Sequence, residues 1–169
     1  NLSDGLDGLA AGCAAITALS LAAVISAAGH SGWSASLKIV HVPEVHELCV
    51  FTVALLGALL AFLWFNCHPA DIFMGDTGSL ALGGLIGYLA VAVKQEFLLI
   101  LLGFVFVGDM MSVLLQVLSF QTAGKRIFKI APYHHSLEYR GWPEAKITVR
   151  LWLLAAVAAA AGLASLGVR

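Results

Sequence analysis

Charge is scarce in this chain: Lys, Arg, Asp and Glu make up 11% of its 169 residues, less than half of the roughly 25% found in soluble domains. No surface of that composition keeps an ordinary globular domain in water. The acidic and basic residues nearly cancel, at a formal charge of -1, and a nucleic-acid partner would call for a basic patch or stripe instead. The three cysteines, Cys13, Cys49 and Cys67, are odd in number and stand in unrelated contexts, so no disulfide framework is implied. They read as small apolar packers. Initiator methionine and a signal peptide are also missing, since the chain opens on Asn1 inside a motif. The expectation is a later part of a longer protein.

Apolar residues fill the space left by charge, at 60% of the chain and a mean hydropathy of +0.94. Five apolar stretches, at 9–28, 48–64, 79–93, 97–119 and 149–167, approach the roughly 20 residues needed to cross a bilayer core about 30 Å thick. The reading is a single all-α transmembrane domain over residues 1–169, a polytopic helical bundle with about five membrane-spanning helices. The third stretch has 15 residues, about 22 Å of helix, and is short for a full span. Its Gly83, Gly84 and Gly87, like the run Ala155 to Ala161 in the last stretch, suit close helix packing.

Three polar strings interrupt the apolar runs, in loops at 1–8, 65–78 and 120–148: Asn1 to Gly8, Phe65 to Ser79, and Ala131-Pro132-Tyr133-His134-His135. Each pair is separated by an even number of crossings, so all three are expected on one side of the membrane. Six of the nine basic residues, Lys125, Arg126, Lys129, Arg140, Lys146 and Arg150, lie in or beside the third loop, as the positive-inside rule expects of a cytosolic face. The segments 29–47 and 94–96 then fall outside. Their His30, His41 and His46 read as loop surface.

The shared face could bind phosphates and metal. Asp4 and Asp7 stand three apart beside Gly5 and Gly8, a spacing that suits either a helix N-terminal cap or a ligand approaching the bare backbone. Asp76, between Gly75 and Thr77-Gly78, precedes an apolar helix, where a carboxylate can share Mg2+ with substrate phosphates. Asp71 is a poorer ligand. His134 and His135 could meet phosphate oxygens, although a histidine pair in a loop is commonly just solvated. Zinc is a poor fit, because His68, His134 and His135 lack a ligand spacing and no cysteine pair accompanies them.

These motifs resemble the polyprenyl-phosphate N-acetylhexosamine-1-phosphate transferases. Asn1 to Ala10, Phe62 to Gly84, Gln95 to Leu99 and Lys125 to Trp152 carry the resemblance in order. Phe73-Met74-Gly75-Asp76 with Ser79 to Gly84, and Ala131 to His135 followed by Gly141-Trp142-Pro143-Glu144, are similar to the peptidoglycan branch. The resemblance implies the C-terminal half of a ten-helix enzyme of the bacterial inner membrane. It would transfer phospho-MurNAc-pentapeptide from UDP to undecaprenyl phosphate, with Mg2+, releasing UMP on the cytosolic side. It makes Asp76 the metal ligand, and Asn1, Asp4 and Asp7 the nucleoside and pyrophosphate lining. Gly5, Leu6 and Phe73 would form the uracil pocket, with Gly75 beside them. Asn66, His134 and His135 would hold the sugar-phosphate side, and Gln116 is a weaker substrate contact. Asp4, Asp76, His134 and His135 are the expected catalytic set. Nucleoside inhibitors and a homodimer are compatible with the resemblance.

The chain departs from that family in two places. Ser136 stands where a third histidine is usual, and the family's upstream aspartate pair has no counterpart. Asp109, within the fourth stretch, reads as a buried, hydrogen-bonded structural acid, although an acid at membrane depth is a functional candidate by default. Two other readings stay open: a sister transferase acting on UDP-GlcNAc, and a transporter, which would place its polar groups at bilayer depth.

Overall fold

The computed structural model describes residues 1–168, and every regular element among them is helical. The elements are α1 (Leu9–Gly29), α2 (Ser31–Leu37), α3 (His46–Asn66), α4 (Gly75–Ala92), α5 (Leu99–Leu102), α6 (Phe104–Ala123), α7 (Tyr133–Tyr139) and α8 (Glu144–Ser165), with one-turn 3-10 segments at Pro43–Val45 and Leu166–Val168. Helices are what the composition permits, because in hydrocarbon every backbone N–H and C=O must find its partner within the segment. Four helices are long and apolar enough to cross a membrane: α1, Pro43–Asn66, α6 and α8.

The bundle is built around α1. Its sequence is apolar on all sides, and a helix of that kind is buried; Leu9, Leu21, Val24 and Ile25 are closed off almost completely. Alanines at positions 10, 11, 14, 15, 18 and 22 keep its surface narrow, so backbones approach closely where lipid supplies no hydrophobic drive. α3 packs along it, α8 crosses it, and α4 and α5 complete the surround. On α8 the indole of Trp152 lies over Gly12, and its Nε1–H donates to Gly8 O at 3.2 Å.

Several segments differ from the sequence expectation. The third stretch, expected at 79–93, becomes α4 from Gly75 to Ala92, 18 residues long, because Gly75 at φ 66° turns the chain into the helix four residues earlier. The fourth, expected as one helix over 97–119, breaks at Gly103 into α5 and α6, and α6 runs on to Ala123. The break is satisfied inside the bundle: the Thr17 hydroxyl on α1 lies 2.9 Å from Leu102 O and 2.9 Å from Cys13 O. The loop expected over 120–148 contains α7 and the first turn of α8. Gly83, Gly84 and Gly87 are not packing points among the described residues, since a Cβ at any of them would meet nothing within 4 Å. Gly162 on α8 is one, with Leu101 Cβ 3.1 Å from its missing Cβ. All three cysteines are free, and Cys67 is exposed where a packing role was expected.

The Gly12 contact makes a prediction. Alanine in a helix interior ordinarily gains about 0.5–1 kcal/mol over glycine. Here the new Cβ would fall inside the indole of Trp152, which is tethered to Gly8 and closed in by α1. Gly12→Ala is therefore expected to destabilise the full-length protein by about 1–3 kcal/mol, read as a lower midpoint of thermal unfolding in detergent. Trp152→Phe, which trims the clash, should recover part of the loss.

Candidate functional site

The three polar strings meet at one end of the bundle. The Asn1 side-chain amide donates to Asp76 Oδ1 at 2.7 Å and lies 3.4 Å from Ser79 Oγ, which joins the first string to the first turn of α4. Asp4 stands in the same neighbourhood, held by a backbone N–H of Gly75. Burial raises its carboxyl above the usual carboxylate range; the charge of Asp76 raises it further, and the Gly75 bond opposes. Two carboxylates, an amide and a hydroxyl thus converge as oxygen-rich chemistry.

Neither Asp4 nor Asp7 caps α1, so the capping alternative falls away. The N-cap is Gly8, at φ 72° and without a side-chain hydrogen bond. Asp7 ties the strings together instead. Its Oδ2 accepts from His68 Nδ1 and from the Ala70 N–H, both at 3.0 Å, and its own N–H donates to Glu144 Oε1 at 2.7 Å. Glu144 Oε2 lies 3.7 Å from His68 Nδ1, and one ligand atom from each of Asp7, His68 and Glu144 falls within 4.8 Å of the others. That group could hold a cation. Its atoms are already engaged in a hydrogen-bonded clamp, however, and its imidazole suits Zn2+ better than Mg2+, which prefers oxygen. Sequence spacing gave no sign of it: His68 finds its partners in the first string and at the start of α8, and Glu144 entered the sequence reading only as the last residue of the Gly141-Trp142-Pro143-Glu144 motif.

The third string is a helix, not a solvated loop. The Tyr133 N–H donates to Ser112 Oγ at 3.0 Å, docking the start of α7 on α6. His134 is fully buried, with Nδ1 2.9 Å from Asp109 Oδ2 on α6. Asp109 is itself 3% exposed, in keeping with a buried, hydrogen-bonded acid. His135 is partly exposed, its Nδ1 3.0 Å from Glu138 Oε2 and its ring 4.3 Å from that of His134. Both imidazoles face Gly5: a Cβ there would lie 2.8 Å from His135 Nε2 and 2.9 Å from His134 Nε2. Only glycine fits. Ser136, in the third place, is buried.

Other expected residues are placed differently. Phe73 projects from its loop at 75% exposure, a free aromatic face, whereas the Leu6 side chain packs with Leu9, Leu137 and Ile147 in the core. Asn66 is buried and donates to Ile72 O at 2.8 Å, bracing the second string. Gln116 is a loop clamp: its Oε1 accepts from the N–H groups of Ile127 and Phe128 at 3.1 and 2.9 Å, and its Nε2 donates to Phe128 O at 2.8 Å. A sugar or phosphate contact would have to displace that backbone. Lys146 and Arg150 lie over the ring of Trp142, at 5.1 and 4.5 Å, so part of the basic run braces the α7–α8 turn.

Comparison with known proteins places the chain in a family. Residues 1–94 match the family described as glycosyl transferase family 4. The whole chain aligns with phospho-N-acetylmuramoyl-pentapeptide-transferases: 48% identical to that of Leptospira biflexa, 50% to that of Koribacter versatilis and 51% to that of Campylobacter hominis. It spans 46%, 45% and 48% of their respective lengths.

The Gln116 clamp is open to direct measurement. With both amide ends used on backbone, Gln116→Leu removes three hydrogen bonds of about 1 kcal/mol each. The amides of Ile127 and Phe128 are then expected to exchange with deuterium at least tenfold faster, and proteolysis after Lys125 or Arg126 should accelerate. Unchanged exchange would show that the loop is held by something else.

Proposed function

The chain belongs to glycosyl transferase family 4, and on that premise we propose that it forms the catalytic face of a phospho-N-acetylmuramoyl-pentapeptide transferase. The enzyme would lie in the bacterial cytoplasmic membrane with this face toward the cytosol. The reaction moves the phospho-MurNAc-pentapeptide group from its UDP carrier to undecaprenyl phosphate. One observation supports this above others: the strings meet, with Asn1 bonded to Asp76 and Gly5 seated against His134 and His135. Carboxylates and imidazoles are thereby gathered at the polar end of an apolar bundle, where a water-soluble diphosphate and a lipid phosphate can both arrive.

The donor set suits Mg2+. Asp76 in the first turn of α4, with Asp4 close by, supplies the one or two carboxylates that this ion usually takes alongside substrate phosphates. The repulsion between Asp4 and Asp76 is of the kind a cation relieves. Bound there, Mg2+ would neutralise charge on the diphosphate. Asn1 orients the Asp76 carboxylate, the Nε2 edges of His134 and His135 meet phosphate oxygens, and Phe73 offers its exposed ring to the uracil base. An oxygen of the lipid phosphate forms a bond to the sugar-linked phosphorus. The bond from that phosphorus to UMP breaks, and UMP leaves with the electron pair. With a second pKa of about 6, the lipid phosphate is largely dianionic at neutral pH, so no residue has to remove a proton from it. Positioning and charge compensation carry this kind of chemistry.

The test uses the full-length enzyme, UDP-MurNAc-pentapeptide and a polyprenyl phosphate. Asp76→Asn is expected to abolish UMP release at every Mg2+ concentration, whereas Asp7→Asn, outside the metal set, should leave measurable turnover. Asp4→Asn should retain activity with a raised Mg2+ requirement. An Asp76→Asn enzyme with the wild-type Mg2+ titration would overturn the metal assignment. UMP release from UDP-GlcNAc in place of the pentapeptide donor would instead point to the sister transferase.

A further inference from the structure

Among the described residues, the Nε2 of His134 is the one buried side-chain nitrogen or oxygen that has no hydrogen-bond partner. A histidine kept for structure alone would have both ring nitrogens satisfied, because an unmet polar atom in the interior is costly. Here one side of the ring is tied firmly, Nδ1 to Asp109 at 2.9 Å with both groups enclosed, and the other is left open. The open side points to Gly5, whose backbone is exposed and which carries only a hydrogen where any other residue would press a Cβ against Nε2. The buried nitrogen thus lies beneath the exposed Gly5 backbone, with the ring of His135 beside it.

We propose that Asp109 is a positioning residue of the transfer reaction, acting through His134. Resting on the function proposed above, this assigns the acid within the α6 membrane segment to a specific task. Its carboxylate accepts a hydrogen bond from the Nδ1–H and so fixes the orientation of the ring. Nε2 is thereby presented to an anionic oxygen of the substrate diphosphate beside Gly5, as an N–H donor once the ring carries both protons. The neighbouring pair repeats the pattern in water: Glu138 holds Nδ1 of His135, whose Nε2 also faces Gly5. Solvent can replace Glu138, which is exposed, but cannot replace Asp109. The two carboxylates therefore differ sharply in consequence. α7 carries the imidazole, and α6 supplies the orientation through Asp109 and through Ser112, which receives the Tyr133 N–H one turn further on.

The experiment compares full-length variants in steady-state UMP release, with thermal midpoint and UDP binding recorded for each. Asp109→Asn is expected to lower kcat by about 10- to 100-fold, as loss of an outer-shell carboxylate commonly does, with KM for the UDP-sugar changed by less than about twofold. Asp109→Glu, which keeps the charge, should recover most of that loss, and Glu138→Gln should cost little. A purely structural acid would lower the midpoint and leave kcat of the folded enzyme unchanged. Folded Asp109→Asn with wild-type kcat therefore overturns the proposal. Should Asp109→Asn not fold, Gly5→Ala takes its place: a folded Gly5→Ala enzyme with unchanged kcat equally overturns it. Wild-type UMP release from folded His134→Ala overturns it as well, since Asp109 would then have no imidazole to act through; failure of the underlying reading looks different, because no UMP from the unaltered enzyme would remove the reaction itself.

Discussion

Asp7 is the knot on which the polar end of this molecule depends. A chain this apolar folds by lining up helices, but helix packing alone leaves the connecting strings loose. Asp7 uses its carboxylate on the second string, through His68 and the Ala70 N–H, its N–H on Glu144, and its carbonyl oxygen on the Thr148 hydroxyl. One residue thus fastens the entry to α1, the loop before α4 and the first two turns of α8. At a membrane boundary such bonds are scarce and each is correspondingly decisive, since an unmet backbone group has little water to turn to.

Small residues do the complementary work. Gly12 lets Trp152 lie flat on α1, Gly8 closes the first string at a positive φ, and Gly5 lets two imidazoles approach the main chain. Each is a place where a Cβ would hold two elements apart. α1 can then be enclosed along most of its length while its N-terminal string still reaches Asp76 on one side and His134 and His135 on the other. The core and the site share these residues, so the packing of α1 against α8 also fixes where the site's side chains meet.

Much of this was legible in the sequence. The apolar stretches marked the five long helices, and the distribution of basic residues together with the parity of crossings brought the three strings to a common face, where Asn1 and Asp76 do meet. Asp109 was read as a buried, hydrogen-bonded structural acid from its depth in an apolar run, and its burial and its hydrogen bond are as read. Less accessible were the break at Gly103, because a lone glycine in a long apolar stretch is ordinarily tolerated in a helix, and α7, too short for a periodic signal. Asn66 and Gln116 matched substrate-binding positions by resemblance; Gln116 uses both ends of its amide on nearby backbone, and Asn66 gives its Nδ2 to Ile72 O. The same donors and acceptors serve a loop or a ligand, and no sequence pattern separates those uses.

What the sequence determined by itself was the solvent and a shared end: too little charge for water, enough continuous apolar length for helices across lipid, and acids, histidines and basic residues gathered in strings that return to one end. These follow from composition and from period, which are local properties. What only the tertiary structure decided was pairing: Asp109 with His134, His68 with Asp7 and Glu144, Gly5 beneath two imidazoles. Such partners are 25 or more residues apart in the chain, and their meeting depends on how helices cross and how deep a short helix settles between them. Those geometries are set by the summed packing of the whole bundle and by no single stretch of it.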